Sequence, residues 1–137
     1  TDLIEFSGPV LSCGNASIFQ LNEAKDAYLL ISLDMTKVKF NTDLQVGSEG
    51  VSVSLHEFDG DVSNQPCNDV MSDGPKQLLE KLIEKGKLNI SITSEELTKK
   101  ENGEGYKVSI VSKGLSTQDN SSFSIRVKDA YVGWLPG

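Results

Sequence analysis

Residues Cys13 to Leu33 constrain this chain more than any other stretch. Cys13-Gly14-Asn15-Ala16-Ser17-Ile18-Phe19-Gln20-Leu21 reads as a strand, Asn22-Glu23-Ala24-Lys25-Asp26 as a polar tip, and Ala27-Tyr28-Leu29-Leu30-Ile31-Ser32-Leu33 as a second strand. The second segment is the most apolar run in the protein, as expected of a strand covered on both faces. Such a hairpin commits the chain to a β-rich core. It also leaves Cys13 at its near end, placed to tie the hairpin to something distant.

The remainder repeats the theme. Leu3-Ile4-Glu5-Phe6 forms a short first strand ended by Gly8-Pro9, and Val10-Leu11-Ser12 leads into Cys13. Thr36 to Phe40 alternates weakly, and Asn41 to Gly50 has loop composition. The clearest alternation puts Val51, Val53 and Leu55 on one side and Ser52, Ser54 and His56 on the other. It slips at Glu57-Phe58, which fits a bulge or the strand's end. Leu88 to Thr93 alternates, Glu101 to Gly105 is a turn, and Lys113 to Asn120 is a polar connection. Tyr106, Val108 and Ile110 share a face, as do Phe123, Ile125 and Val127, and Ala130 to Gly137 supplies a last strand or cap.

One stretch has helical chemistry. Leu78, Leu79, Leu82 and Ile83 fall at helical spacing, Asp73 suits an N-cap, Pro75 the first turn and Gly86 the stop. Leu79-Lys81-Ile83-Lys85 also has period two, so a strand competes there; residue preferences favour the helix. These elements predict a mainly antiparallel β-sandwich, immunoglobulin-like or jelly-roll-like, of seven to nine strands with one short helix near 75–85. A barrel stays open as the alternative. With 137 residues and no visible linker or repeat, 1–137 reads as one domain.

Charge narrows the function. Thirteen basic against twenty acidic residues give a net charge of −7, and only Lys99 and Lys100 are adjacent. Nucleic acid and anionic membrane surfaces need clustered cations, so neither is an expected partner. No stretch is apolar enough to span a bilayer as a helix, so the expectation is no direct membrane insertion by this chain. Thr1-Asp2-Leu3 carries neither a basic nor an apolar leader region, which reads as a mature or trimmed chain.

Two cysteines, Cys13 and Cys67, allow one pairing. With a single histidine and no Cys-x-x-Cys they are a poor zinc set. A structural disulfide is the simplest reading, and two buried free thiols are the alternative. Closing a loop of about 55 residues contributes roughly 4 kcal/mol in the chain-entropy picture. Such a bond persists in oxidising compartments, which implies the periplasm or the cell exterior.

Three pieces carry a resemblance: Cys13-Gly14-Asn15 opening a strand, Cys67-Asn68-Asp69-Val70 after a long loop, and Val132-Gly133-Trp134-Leu135-Pro136-Gly137 at the end. Together the chain resembles uncharacterised β-rich proteins of bacterial cell envelopes, often made as lipoproteins. The resemblance implies a Cys13–Cys67 bridge and an exported location: periplasmic, outer-membrane-anchored or extracellular. It supplies no activity, and it implies an extended segment where the helix is expected.

Candidate chemistry is sparse. The acidic loop 59–73 gathers oxygen ligands suited to calcium, with Asp59, Asp61, Asn64 and Asp69 as the candidate set. In an EF-hand register Asn64 stands where Gly is needed and Val70 where Glu is needed, and turn-making Asp and Asn explain the composition equally well. His56 has Ser52 and Ser54 on its own strand face, yet nothing resembles a strained nucleophile turn, so it reads as a solvent-facing strand residue. Paired carboxylates for glycoside hydrolysis have no marker in an apolar setting. Tyr106, Tyr131 and Trp134 can form an aromatic platform for sugar faces, against the plainer reading as core or rim residues. Asn15, Asn89 and Asn120 head Asn-x-Ser sequons, which matter only in a eukaryotic secretory pathway. The expectation is therefore a non-catalytic binding or structural module without a resident cofactor, whose partner is a glycan or another envelope protein. A carbohydrate-binding domain, with or without calcium, is the alternative.

Overall fold

The structure, a computed structural model, describes residues 3–13, 17–34, 36–63, 74–100, 103–119 and 121–134. Ten strands follow in chain order: β1 (Leu3–Phe6), β2 (Val10–Cys13), β3 (Ser17–Leu21), β4 (Ala27–Leu33), β5 (Asp43–Gln45), β6 (Val51–Phe58), β7 (Gln77–Leu82), β8 (Lys85–Lys100), β9 (Gly103–Ser116) and β10 (Ser122–Trp134). Sheet one has the order β1-β10-β9-β8-β5, and sheet two the order β2-β3-β4-β6-β7. All pairings are antiparallel except β1 with β10. Ten strands among the described residues exceed the seven to nine expected: β5 lies inside the segment read as a loop, and β7 lies where the helix was expected. Thr36 to Phe40, read as a weak strand, instead begins as a turn in which the Asp34 carbonyl accepts from Lys37 N and Val38 N.

Period two explains the packing. Alternate residues of a strand face opposite sides of its sheet. From β4, Leu29, Ile31 and Leu33 point into a core shared with Val51, Val53 and Leu55 of β6. The other sheet contributes Leu88 and Ile90 from β8, Val108 and Ile110 from β9, and Phe123, Ile125 and Val127 from β10. The β4 run is not covered equally on both sides, however. Tyr28, Leu30 and Ser32 are only half-buried, so its apolar composition reflects a second, partly open face.

The helix expected near 75–85 is absent; Gln77–Leu82 forms β7, an edge strand on β6. Among the described residues there is no helix. Pairing with β6 satisfies backbone groups on both strands and buries Ile83 fully, while Leu79 packs on the core. The other two members of the supposed stripe, Leu78 and Leu82, are 63% and 55% exposed. Tertiary pairing has overridden intrinsic helix preference. The slip at Glu57-Phe58 is a register shift against β7, as the alternation implied.

Two local devices set the shape of the molecule. At the β3–β4 turn, Asn22 Oδ1 accepts from Asp26 N and Ala27 N, both at 3.1 Å, while its Nδ2 donates to Asp26 Oδ1 at 2.7 Å. At the β1–β2 crossing, Gly8 N donates to Leu21 O, which pulls the chain off β10 and onto sheet two. Sheet one also runs on past the core. At about 3.3 Å per residue, the 16 residues of β8 reach about 50 Å, against about 26 Å for the eight of β6.

Candidate binding face

The half-open side of sheet two carries a cluster that register alone assembles. Residues directly opposite on paired strands share a face. One row runs Leu11, Phe19, Leu30, Ser54, Leu82 across five strands. The next runs Leu21, Tyr28, His56, Glu80. Tyr28 is the hub. Its ring lies 5.1 Å from Phe19 in an edge-on arrangement, 5.0 Å from His56 and 5.4 Å from Phe58, the last two inclined by 32° and 33°. Such contacts hold aromatic rings in fixed orientations, each worth about 0.5–1.5 kcal/mol beyond burial.

A polar fringe completes the face. His56 Nδ1 lies 2.9 Å from Gln77 Oε1, and Nε2 lies 2.8 Å from Ser54 Oγ. The Gln77 oxygen is an acceptor only, so Nδ1 donates to it, and Nε2 pairs with the Ser54 hydroxyl. Burial of Tyr28, with Glu80's negative charge added, pushes its hydroxyl pKa above the ordinary value. His56 is thus 8% exposed rather than solvent-facing, with the Tyr28 ring against it and two side chains tying it. Ser54 is its hydrogen-bonding neighbour, as their shared strand face implied. Serine's own backbone is flanked by Leu30 on β4 and Leu82 on β7, so both sides of this strand position belong to the sheet.

At one end of this face the chain after β6 folds back. Phe58 N donates to Asp26 O, and Val62 N donates to Lys25 O. Val62 and Leu21 are fully buried outside the main core cluster.

The residues singled out from sequence fall elsewhere. Tyr106 on β9 is opposite Val132 of β10, Tyr131 opposite Lys107, and Trp134 opposite Glu104, so the backbone brings the three to one end of neighbouring strands. Their side chains lie outside the described part of the structure. Of the calcium candidates, Asp59 Oδ1 accepts from Lys76 N at 2.8 Å, and Asp61 Oδ1 accepts from Ser63 N at 2.8 Å and Ser63 Oγ at 2.6 Å. The Asp59 bond ties two distant segments together, while the pair from Ser63 makes a local turn and holds the Asp61 carboxyl below its usual range. Asn64 and Asp69 lie outside the described residues. Among the described residues no group of three or more His, Cys, Asp or Glu side chains converges as metal ligands do. Cys67 lies outside them too, and with it the expected Cys13–Cys67 bond.

Phe19, Tyr28 and Phe58 were not singled out from sequence. The available signal was an aromatic at a non-core position of each of several neighbouring strands, which becomes visible only once register is known. No protein family, curated protein or solved structure matches this chain.

Proposed function

We propose that the protein is an exported, non-catalytic binding module built as a β-sandwich, immunoglobulin-like or jelly-roll-like, and that it takes a carbohydrate on the outer face of sheet two. The observation carrying this reading is the half-buried Tyr28, fixed between Phe19, Phe58 and His56 and fringed by Ser54, Gln77 and Glu80. Flat rings accept the apolar face of a sugar, and neighbouring amide, hydroxyl and carboxylate groups pair with its hydroxyls. The rings are held by their neighbours before any ligand arrives, which lowers the ordering cost of binding. Leu82, 55% exposed on the same face, extends the apolar strip.

A hydrolytic reading of Ser54 and His56 is less well supported. Acyl transfer needs free N–H donors aimed at a developing oxyanion, and Ser54 sits in mid-sheet between two paired strands. The third partner is also an amide, where a triad uses a carboxylate to stabilise the charged ring.

Titration against a broad oligosaccharide panel by calorimetry is the test. Saturable binding that Phe19→Ala and Tyr28→Ala each weaken about tenfold, with folding intact by circular dichroism, is the expected result. Absence of binding across the panel, or binding indifferent to both substitutions, would overturn it. The exported placement rests on the Cys13–Cys67 bond. Mass spectrometry after alkylation in denaturant without reductant reads it directly: no added label supports it, and two labelled thiols remove it.

A further inference from the structure

We propose that the open end of the sandwich beside the β3–β4 turn holds a small apolar ammonium ion, a protonated aralkylamine, with its ring among phenylalanines and its charge against Glu57 and Asp26. The site shares only Phe58 with the aromatic face and does not rest on the carbohydrate reading.

Register places a charge where the fold otherwise puts hydrocarbon. Alternate positions of β6 face the core, and Val51, Val53 and Leu55 fill them. Glu57 is next in that row. It stands directly opposite Ala27 of β4 and Leu79 of β7, which lie in or against the core, and so shares their face. At this layer the two sheets part around a pocket of about 290 Å³. Sheet one lines it with Ile4, Phe6 and Phe123. Sheet two sets Phe58 and Leu78 around Glu57, and the β3–β4 turn adds Asp26. The register shift against β7 leaves Leu78 without a partner on β6, and its side chain reaches the same pocket.

The apolar lining asks for a ligand body. Of the four large hydrophobic side chains exposed among the described residues, Ile4 at 46% and Leu78 at 63% both border this pocket, one from each sheet. A ring lying between them removes that surface from water. Phe6 and Phe123, packed edge-on with centroids 6.0 Å apart, give it a fixed aromatic wall, which also attracts a cation. The volume of about 290 Å³ is at the bottom of the usual range for ligand pockets, about 300–1,000 Å³, so one ring and a short tether fit.

Charge sets the head group. The ion pairs among the described residues, Lys81–Asp119 and Lys113–Asp43, use neither Glu57 nor Asp26. Among the described residues no lysine or arginine lines the pocket, and Lys25, beside Asp26 in the chain, interacts electrostatically with Asp61. Asp26 Oδ1 accepts from Asn22 Nδ2 at 2.7 Å, which holds its carboxyl at the rim. Two acids beside an apolar pocket favour an ammonium, whose three N–H groups all donate, and repel an anion.

The test uses the full chain, labelled with nitrogen-15, and three probes of one shape: phenethylammonium, phenethyl alcohol and hydrocinnamate. The ammonium should shift the amide resonances of Ile4, Ala27, Glu57 and Leu78 saturably, with a dissociation constant of about 1 mM or tighter. The alcohol and the carboxylate should bind at least about tenfold more weakly. Glu57→Gln and Leu78→Ala, both at exposed side chains, should each weaken phenethylammonium about tenfold without lowering the melting temperature. Equal binding of the alcohol, or an ammonium affinity indifferent to Glu57→Gln, overturns the proposal. So does the absence of any shift at about 10 mM phenethylammonium. Shifts confined to Phe19 and Tyr28 would also overturn it, moving the amine to the outer aromatic face.

Discussion

Tyr28 and His56 stand directly opposite each other on β4 and β6, with ring centroids 5.0 Å apart and planes inclined by 32°. That contact buries part of the phenol and brings Glu80, the β7 partner of His56, within electrostatic range of it. Both effects disfavour the phenolate, burial more than charge. Tyr28 should therefore ionise above the ordinary value of about 10 when followed by carbon NMR of its ring. Glu80→Gln should bring the midpoint part of the way down and leave the burial contribution in place. Since the folded pKa is the higher one, this group's stabilising effect is complete below about pH 10 and declines as pH rises past it. A Tyr28 midpoint at the ordinary value would contradict the burial seen here.

Gly8 offers a sharper steric test. A Cβ built there falls 2.1 Å from Asn22 O, a backbone atom held by the β3–β4 turn. Gly8→Ala should cost at least about 1–3 kcal/mol, read as a lower urea midpoint with an unchanged slope. Gly47 is the control, because it has a φ of +83° and nothing within 4 Å of the added atom. Gly47→Ala should lose only about 1 kcal/mol, from backbone strain alone. Equal costs at the two positions would mean that the β1–β2 crossing is looser than described.

Asp119 is a test by pH. Its carboxylate accepts from Lys81 Nζ at 2.7 Å, from Thr117 Oγ1 and from Ser121 N, and these bonds hold its pKa well below the usual carboxylate range. A depressed folded pKa gives stability that is present above the unfolded value of about 4 and is lost as pH falls toward the folded one. Asp119→Asn should thus lower the melting temperature at neutral pH, and the gap from the parent should narrow as pH falls below about 4. A gap independent of pH would show that shape rather than charge holds this corner.

How far these features were legible in the sequence depended on which interactions set them. The alternations at Val51 to Leu55 and Phe123 to Val127 were readable because one residue in two is buried, a rule local to the strand, whereas the uniformly apolar Ala27 to Leu33 was read as covered on both faces and alternates only in the structure. The Gln77–Leu82 segment was not, because Leu78, Leu79 and Leu82 fit a helical stripe as well as an edge strand. What decides is β6, some twenty residues earlier in the chain. The short β5 was hidden for the same reason: Asp43 to Gln45 becomes a strand by pairing with Lys87 to Asn89. The aromatic face and the pocket beside Glu57 depend on register between strands far apart in sequence. No window of neighbouring residues contains that information.

The parallel pairing of β1 with β10 bears on how the molecule meets mechanical load. The two strands point the same way, so tension that draws Leu3 and Trp134 apart slides one strand lengthwise against the other. All four matched positions, Leu3 with Ser122 through Phe6 with Ile125, then resist together instead of unzipping in turn. A shear clasp of four rungs at the seam between the two layers is the arrangement expected to yield late under pulling.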